Sequence, residues 1–303
     1  MPELPEVNLY LHALGPRILG EKIRRLRIAS PSLLKTFDPS PAELHGKSVE
    51  TLARLGKRIV FGVEDDLFAV VHLMIAGRFQ WRKPDAPIPR KRGHAAFDFS
   101  RGTLLITEAA TRKRASLHLV RGEAALMEHD PGGIEPLEAT AEAFAAAIRR
   151  ENRTLKRALT DPRILSGIGN AHSDEILLRA RLSPARLTRR LSDGEIERLR
   201  AAVRSSLTEW SARLIAEAGD DFPAKVTAFH PAMSAHGRYR EPCVQCGTPI
   251  QRIVYATRET NYCPACQTGG RLLADRALSR LLRRDWPRSV EALESLTRRK
   301  EPG

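Results

Sequence analysis

Four cysteines constrain this chain more than any other feature. Cys243-x2-Cys246 and Cys263-x2-Cys266 are separated by sixteen residues. Each pair can offer two thiolates to one ion, and the stretch between them fits a two-stranded hairpin. Four thiolates in tetrahedral array suit Zn²⁺. With no open ligand position, the metal is expected to be structural and not catalytic. A redox pair is the weaker reading, because two such pairs occur together. All four cysteines fall within 24 residues, so a disulfide framework spread over the chain is not expected. Arg258 stands just before the second pair, where a rigid hairpin can aim it at a phosphate or a sugar.

The chain has 303 residues, enough for two domains with separate cores. Lys and Arg outnumber Asp and Glu by 50 to 36, giving +14 and a pI near 10.2. That surplus favours a polyanionic partner, nucleic acid first and an acidic membrane surface second. The first twenty residues carry Glu3, Glu6 and Arg17 in place of an apolar signal core. The most apolar run, Leu67 to Ala76, contains His72 and is far short of the roughly 20 residues that span a bilayer. A soluble cytoplasmic protein without a membrane partner is expected.

The front of the chain reads Met1-Pro2-Glu3-Leu4-Pro5-Glu6-Val7. A small second residue lets the initiator Met be trimmed, which would leave Pro2 as a free secondary amine. A free α-amine has a pKa of roughly 7.7–8.0 and is partly neutral at physiological pH. It can attack an electrophilic carbon and form an iminium. Glu3 places a carboxyl beside it as a proton donor or acceptor. The bland alternative is an ordinary solvated terminus.

Behind it, Val7, Leu11, Leu14 and Ile18 recur at helical intervals, predicting a helix over 4–19 that pins the terminus. From Lys22 to Leu119 the signals change to short strands: 23–28, 48–55, 58–63, 67–73, 95–99 and 103–106. Asp65-Asp66 and Arg101-Gly102 read as hairpin turns, and 82–92 as a basic loop. This pattern suggests an antiparallel sandwich or barrel. Residues 128–136 read as a linker. The second half is helical, with Thr140 as a cap, a short helix over 152–159, and Asp174 and Glu175 in the first turn of a helix ending at Ala180. A longer helix follows, with Ile196, Leu199, Val203, Leu207, Trp210 and Leu214 as its apolar stripe. Between two helical stretches lies Ser166-Gly167-Ile168-Gly169-Asn170. Its glycines let backbone amides converge on a phosphate, Asn170 can add a side-chain contact, and Lys156 can add charge. The alternative is a plain helix–helix turn.

Together, MPELPEV, SGIGN and the four-cysteine finger containing Arg258-Glu259-Thr260-Asn261-Tyr262-Cys263 resemble the formamidopyrimidine-DNA glycosylase/endonuclease VIII family, from Pro2 to about Gln267. The resemblance implies an α+β multidomain fold. It comprises an N-terminal antiparallel β-sandwich with a flanking helix (2–130), a helix–two-turn–helix domain (137–235) and a zinc-finger hairpin (236–270). Residues 271–303 form a basic tail outside it. The activity it implies is excision of oxidised purines (formamidopyrimidines, 8-oxoguanine) with AP-lyase cleavage, by a monomer acting on double-stranded DNA that carries damaged bases or abasic sites, in a nucleoid-associated setting. Pro2 would attack C1′, Glu3 would manage protons, and Lys57 would sit on a strand at the reacting nucleotide. Asn170 and Arg258 would clamp the phosphates flanking the flipped nucleotide.

The chain departs from the family pattern in places. His72-Leu73-Met74-Ile75-Ala76-Gly77 puts Ile75 where a void-filling Met is usual, and an apolar wedge can still come from Ile75 or Met74. The loop expected to supply an Arg and a Phe reads Thr107 to Ala115 without a Phe, leaving Arg112 or Arg114. His94 aligns with a DNA-contacting His. Glu259 replaces a small residue, and Ala171-His172 follows the glycine turn. Two alternatives stay open: an endonuclease VIII-like preference for oxidised pyrimidines, and a catalytically silent binder of damaged DNA.

Overall fold

The computed structural model describes residues 1–255, 258–274, 286, 287, 289, 290, 292 and 295. Most of the basic tail therefore lies outside the described residues. The chain divides into two compact units, Met1–Gly133 with Thr208–Ala228, and Ile134–Leu207 with Phe229–Gly303.

The first unit opens with α1 (Leu4–Ile18), then β1 (Arg25–Ile28), β2 (Val49–Leu55), β3 (Arg58–Val63), β4 (Leu67–His72), β5 (Gly77–Arg82), β6 (Gly93–Asp98), β7 (Thr103–Glu108), β8 (Ser116–Arg121) and α2 (Glu123–Met127). The strands make two four-stranded antiparallel sheets, ordered β1-β6-β7-β5 and β2-β3-β4-β8. The hairpin turn at Asp65-Asp66 forms as expected, in a three-residue loop Glu64-Asp65-Asp66 between paired Val63 and Leu67, with both aspartates at positive φ (63° and 56°). β5 and β8 escape a reading by apolar runs. Their sequences Gly-Arg-Phe-Gln-Trp-Arg and Ser-Leu-His-Leu-Val-Arg carry a period-two alternation that holds the signal.

Aromatic rings join the two sheets. Phe61 of β3 stacks on Phe97 of β6 with centroids 5.4 Å apart, and meets Phe79 of β5 edge-on at 6.1 Å. Tyr10 of α1 meets Phe79 edge-on at 5.3 Å, and its hydroxyl accepts the Phe79 N–H. All four side chains are fully buried. α1 is therefore seated by the same ring cluster that closes the sandwich, which fixes where its N-terminus points.

In the second unit come α3 (Ala141–Arg149), α4 (Leu155–Thr160), α5 (Asn170–Ala180) and the start of α6 (Asp193–Ala218), whose residues from Thr208 count with the first unit. Thr140 caps α3 as expected, its hydroxyl accepting the Ala143 N–H. The apolar stripe of α6 is buried from Ile196 to Leu214. β9 (Gln251–Tyr255) and β10 (Arg258–Tyr262) pair as the predicted hairpin, followed by α7 (Pro264–Thr268). Among the described residues no helix is long and apolar enough to cross a membrane.

Replacing Phe61 by Ala removes the ring on which both sheets close. The expected loss is about 3–5 kcal/mol of unfolding free energy, read as a lowered midpoint in denaturant. An unchanged midpoint would show that the ring cluster is not the core of this unit.

Candidate active site and nucleic-acid interface

α1 starts three residues into the chain because Pro5 suits its first turn and Glu6 satisfies an orphan donor there. The Glu3 N–H donates to Glu6 Oε2 at 2.7 Å, and the Val7 N–H to the Glu3 carbonyl at 2.9 Å. Pro2 is buried, as are Glu3 and Glu6, at 2% and 1% exposure. With Met1 in place, its α-amine lies below the usual value. Burial is the main cause and the Arg78 and Lys57 charges add to it, against Glu3 and Glu6. The front end, two carboxylates and two cations thus share one neighbourhood. Lys57 is not on a strand. Leu55 pairs with Arg58, so Gly56-Lys57 is the two-residue turn between β2 and β3, with Gly56 at φ 62°. Arg78, at the start of β5, belongs to the same neighbourhood and carried no motif in the sequence.

His72 ends β4 beside these cations. Its Nε2 is buried without a hydrogen-bond partner. Burial, then Arg58, Lys57 and His118, push it down to about 4. His118 is likewise pushed down to about 4, by burial, then by His129, whose ring centroid is 4.4 Å away, and Arg58. Ile75 is 58% exposed in the turn between β4 and β5, an apolar side chain held out to solvent.

His94 differs from its expected role. It is 2% exposed, with Nε2 3.3 Å from Glu108 Oε2, so it presents no surface to a phosphate. Glu108, 1% exposed, instead organises the loop that follows it. Its carboxylate accepts the Arg114 N–H at 3.0 Å and the Ala115 N–H at 3.2 Å, while Lys113 Nζ donates to its carbonyl at 2.5 Å. Arg112 lies exposed in the loop so anchored. The sequence showed Glu108 only as one acid after a strand.

In the second unit, Gly167 at φ 78° turns the chain into α5, which begins at Asn170. Asn170 Nδ2 donates to the Glu259 carbonyl at 2.9 Å, so the turn touches the hairpin beside the exposed Arg258. Lys156 does not reach out to solvent. Its Nζ donates to the Asn170 carbonyl at 2.6 Å and to Asp174 Oδ1 at 2.5 Å. Asp174 and Glu175 sit one turn inside α5, not in its first turn, and both are buried. Asp174 Oδ2 is 2.8 Å from His236 Nδ1. Glu175 accepts the N–H groups of Ser234, Ala235 and His236 at 2.8–2.9 Å. These bonds fix the segment that leads into the hairpin.

The four Sγ atoms of Cys243, Cys246, Cys263 and Cys266 lie within 4.8 Å of one another, with Cys246 and Cys263 3.4 Å apart. A tetrahedral Zn²⁺ with sulfurs at 2.3 Å needs separations of about 3.8 Å. The Gln245 and Cys266 amides point at the sulfurs of Cys243 and Cys263, both at 3.4 Å, as thiolate ligands favour. The donor set fits one structural zinc.

Three family profiles match in order: the formamidopyrimidine-DNA glycosylase N-terminal domain over 1–116, the formamidopyrimidine-DNA glycosylase H2TH domain over 133–212, and the zinc finger found in FPG and IleRS over 240–269. A formamidopyrimidine-DNA glycosylase of Ligilactobacillus salivarius is 32% identical over 278 residues, covering 88% of this chain and 99% of that one. Among solved structures, a Lactococcus lactis FPG variant in complex with Fapy-dG DNA has a TM-score of 0.77 at 27% identity, covering 88% of this chain and all of the other. MutM in complex with DNA containing carbocyclic 8-oxo-G gives 0.76 at 27% identity, with the same coverages.

Purified protein is expected to hold one zinc per chain, and chelation to lower the unfolding temperature, because ligand-set energy is folding energy here. Protein that is fully stable without metal would remove zinc from the hairpin's role. The histidines give a second test. His72 and His118 titrate near 6.5 when unfolded and near 4 when folded. Between these values the unfolded chain binds protons that the folded one refuses. Stability should therefore be full above pH 6.5, fall as pH drops towards 4, and level off below. His118→Gln should flatten part of that slope in melts run across the range, and an unaltered slope would contradict the assignment.

Proposed function

The chain belongs to the formamidopyrimidine-DNA glycosylase family, and from that premise we propose that it excises oxidised purines from DNA and then cleaves the strand. Removal of Met1 exposes the Pro2 nitrogen. That nitrogen attacks C1′ of the damaged nucleotide, the C1′–N bond breaks, and the base leaves with the electron pair and takes up a proton. The nitrogen then sheds its proton, and its lone pair forms the C1′ iminium as the C1′–O4′ bond breaks and O4′ takes up a proton, opening the sugar ring. The iminium acidifies the C2′ proton, and loss of that proton expels the 3′ phosphate. A further elimination releases the 5′ phosphate, and water frees the enzyme.

The observation that carries this reading is the crowded front end. Pro2 is buried beside Glu3, in the neighbourhood that Lys57 and Arg78 share, so the nitrogen that trimming exposes lies close to cations and out of bulk water, both of which favour a neutral nucleophile. Glu3 is the proton carrier at the sugar. Lys57, on a short turn, reaches the reacting nucleotide. Asn170 and Arg258 take the flanking phosphates, which requires Asn170 to exchange the Glu259 carbonyl for DNA. Ile75 supplies the wedge and Arg112 the contact to the opposite strand. The surplus of 14 positive charges supports binding to the backbone. The relatives bound to Fapy-dG and 8-oxo-G DNA favour oxidised purines as the lesion class.

Borohydride reduction on duplex DNA with one abasic site should trap a one-to-one covalent adduct. Pro2→Gly keeps an amine and should retain part of the trapping, while an N-terminal tag should abolish it. Tagged protein that traps and cleaves at the normal rate would take Pro2 out of the mechanism.

A further inference from the structure

We propose that the second unit carries a phosphate-binding site separate from the lesion clamp, at the far end of α5. A cavity of about 480 Å³ lies there, lined by Arg181, Arg186, Arg190 and Arg271 together with Glu195 and Gln267. α5 has eleven residues from Asn170 to Ala180, so the cavity stands about 16 Å along the helix from the Asn170 turn.

Among the described residues the charges lining this cavity do not cancel. Arg186 pairs with Glu195 at 3.2 Å and also donates to the Arg190 carbonyl at 2.8 Å. Arg181 Nε donates to the neutral Gln245 side chain at 3.3 Å. Among the described residues no carboxylate is in ion-pair range of Arg181, Arg190 or Arg271. The C-terminal end of α5 adds about half a negative charge, which, among the described residues, leaves most of three cations uncompensated around one concavity. Like charges repel, so such a cluster is stable in use when an anion joins it. Guanidinium groups present paired donors that match phosphate oxygens.

The walls are also held in place. Arg181 stands in the left-handed conformation at φ 53°, its N–H bonded back to the Leu177 and Leu178 carbonyls. Gln267 donates to the Leu182 carbonyl at 2.9 Å and accepts the Cys263 N–H at 2.7 Å, which ties one side of the cavity to a zinc ligand. The four arginines of the site are exposed, but they spring from backbone held by the buried Leu182 and Gln267. Its ligand is a phosphate group. The source is either the backbone of DNA beyond the clamp, an arm that rests on the function proposed above, or a free phosphate compound.

Arg190→Gln with Arg271→Gln removes two of the uncompensated charges. Binding is measured over a range of salt to undamaged duplexes of one helical turn, about 10 base pairs, and of four turns, and inorganic pyrophosphate is titrated calorimetrically. If DNA backbone occupies the site, the four-turn duplex loses about 2 from its log K against log salt slope, at about 0.9 per phosphate, and the one-turn slope stays unchanged. If the source is free phosphate, pyrophosphate binds the wild type and not the variant, with both slopes unchanged. Unaltered slopes with no pyrophosphate binding overturn the site. The variant Arg190→Lys with Arg271→Lys keeps the charges and should keep the wild-type salt slopes, which count charge, with pyrophosphate bound more weakly for want of the paired donors; salt slopes lost there as well would overturn the proposal, because the fold and not the charge would then be responsible. Trapping on a one-turn abasic duplex reports the proposed activity separately, so either reading can fail without the other.

Discussion

A chain end is the freest part of a protein, and chemistry at a main-chain nitrogen requires that freedom to be removed. Here a single hydrogen bond begins the removal. Glu6, inside the first turn of α1, accepts the Glu3 N–H and fixes the backbone one residue from Pro2. The helix behind it is held in turn, because Tyr10 packs on Phe79 in the ring cluster between the sheets. Core packing, helix position and the aim of the front nitrogen are one connected arrangement. Burying Glu6 is tolerable because its carboxylate accepts the Glu3 N–H.

The second unit uses buried acids for a different task. Asp174 and Glu175 draw Lys156, His236 and three consecutive backbone amides onto one helix. A carboxylate that accepts several donors in a buried place is a strong geometric restraint, and removing one partner would leave the others unsatisfied. The segment so held leads to the cysteine hairpin, whose β10 also meets Asn170. The glycine turn and the hairpin are thus set in register by contacts that share α5. The zinc ligands fix the hairpin's own shape.

Much of the candidate site was legible along the chain. The cysteine spacing specified the metal donor set, since two local pairs on a hairpin can converge in few ways. The spacing of Val7, Leu11, Leu14 and Ile18 announced the helix behind the terminus. The Gly167–Asn170 turn was readable because glycine is needed at Gly167's positive φ. Other parts were not legible. Lys57 reads as a strand residue until the Leu55–Arg58 pairing shows a turn. His94 matches a contacting residue in sequence, yet burial against Glu108 takes it from the surface. Lys156 reads as a free charge until Asp174 claims it.

The sequence by itself determined the zinc donor set, the helix that anchors the front end, the alternation that makes sheets, and the basic surplus, because each depends on near neighbours or on totals. Tertiary structure alone decided which cations surround the α-amine, which acids hold the loop after Glu108 and the segment before the hairpin, and where four arginines meet around a cavity. Those depend on partners brought from distant parts of the chain, and desolvation, which sets how strongly they act, exists only once the chain has packed.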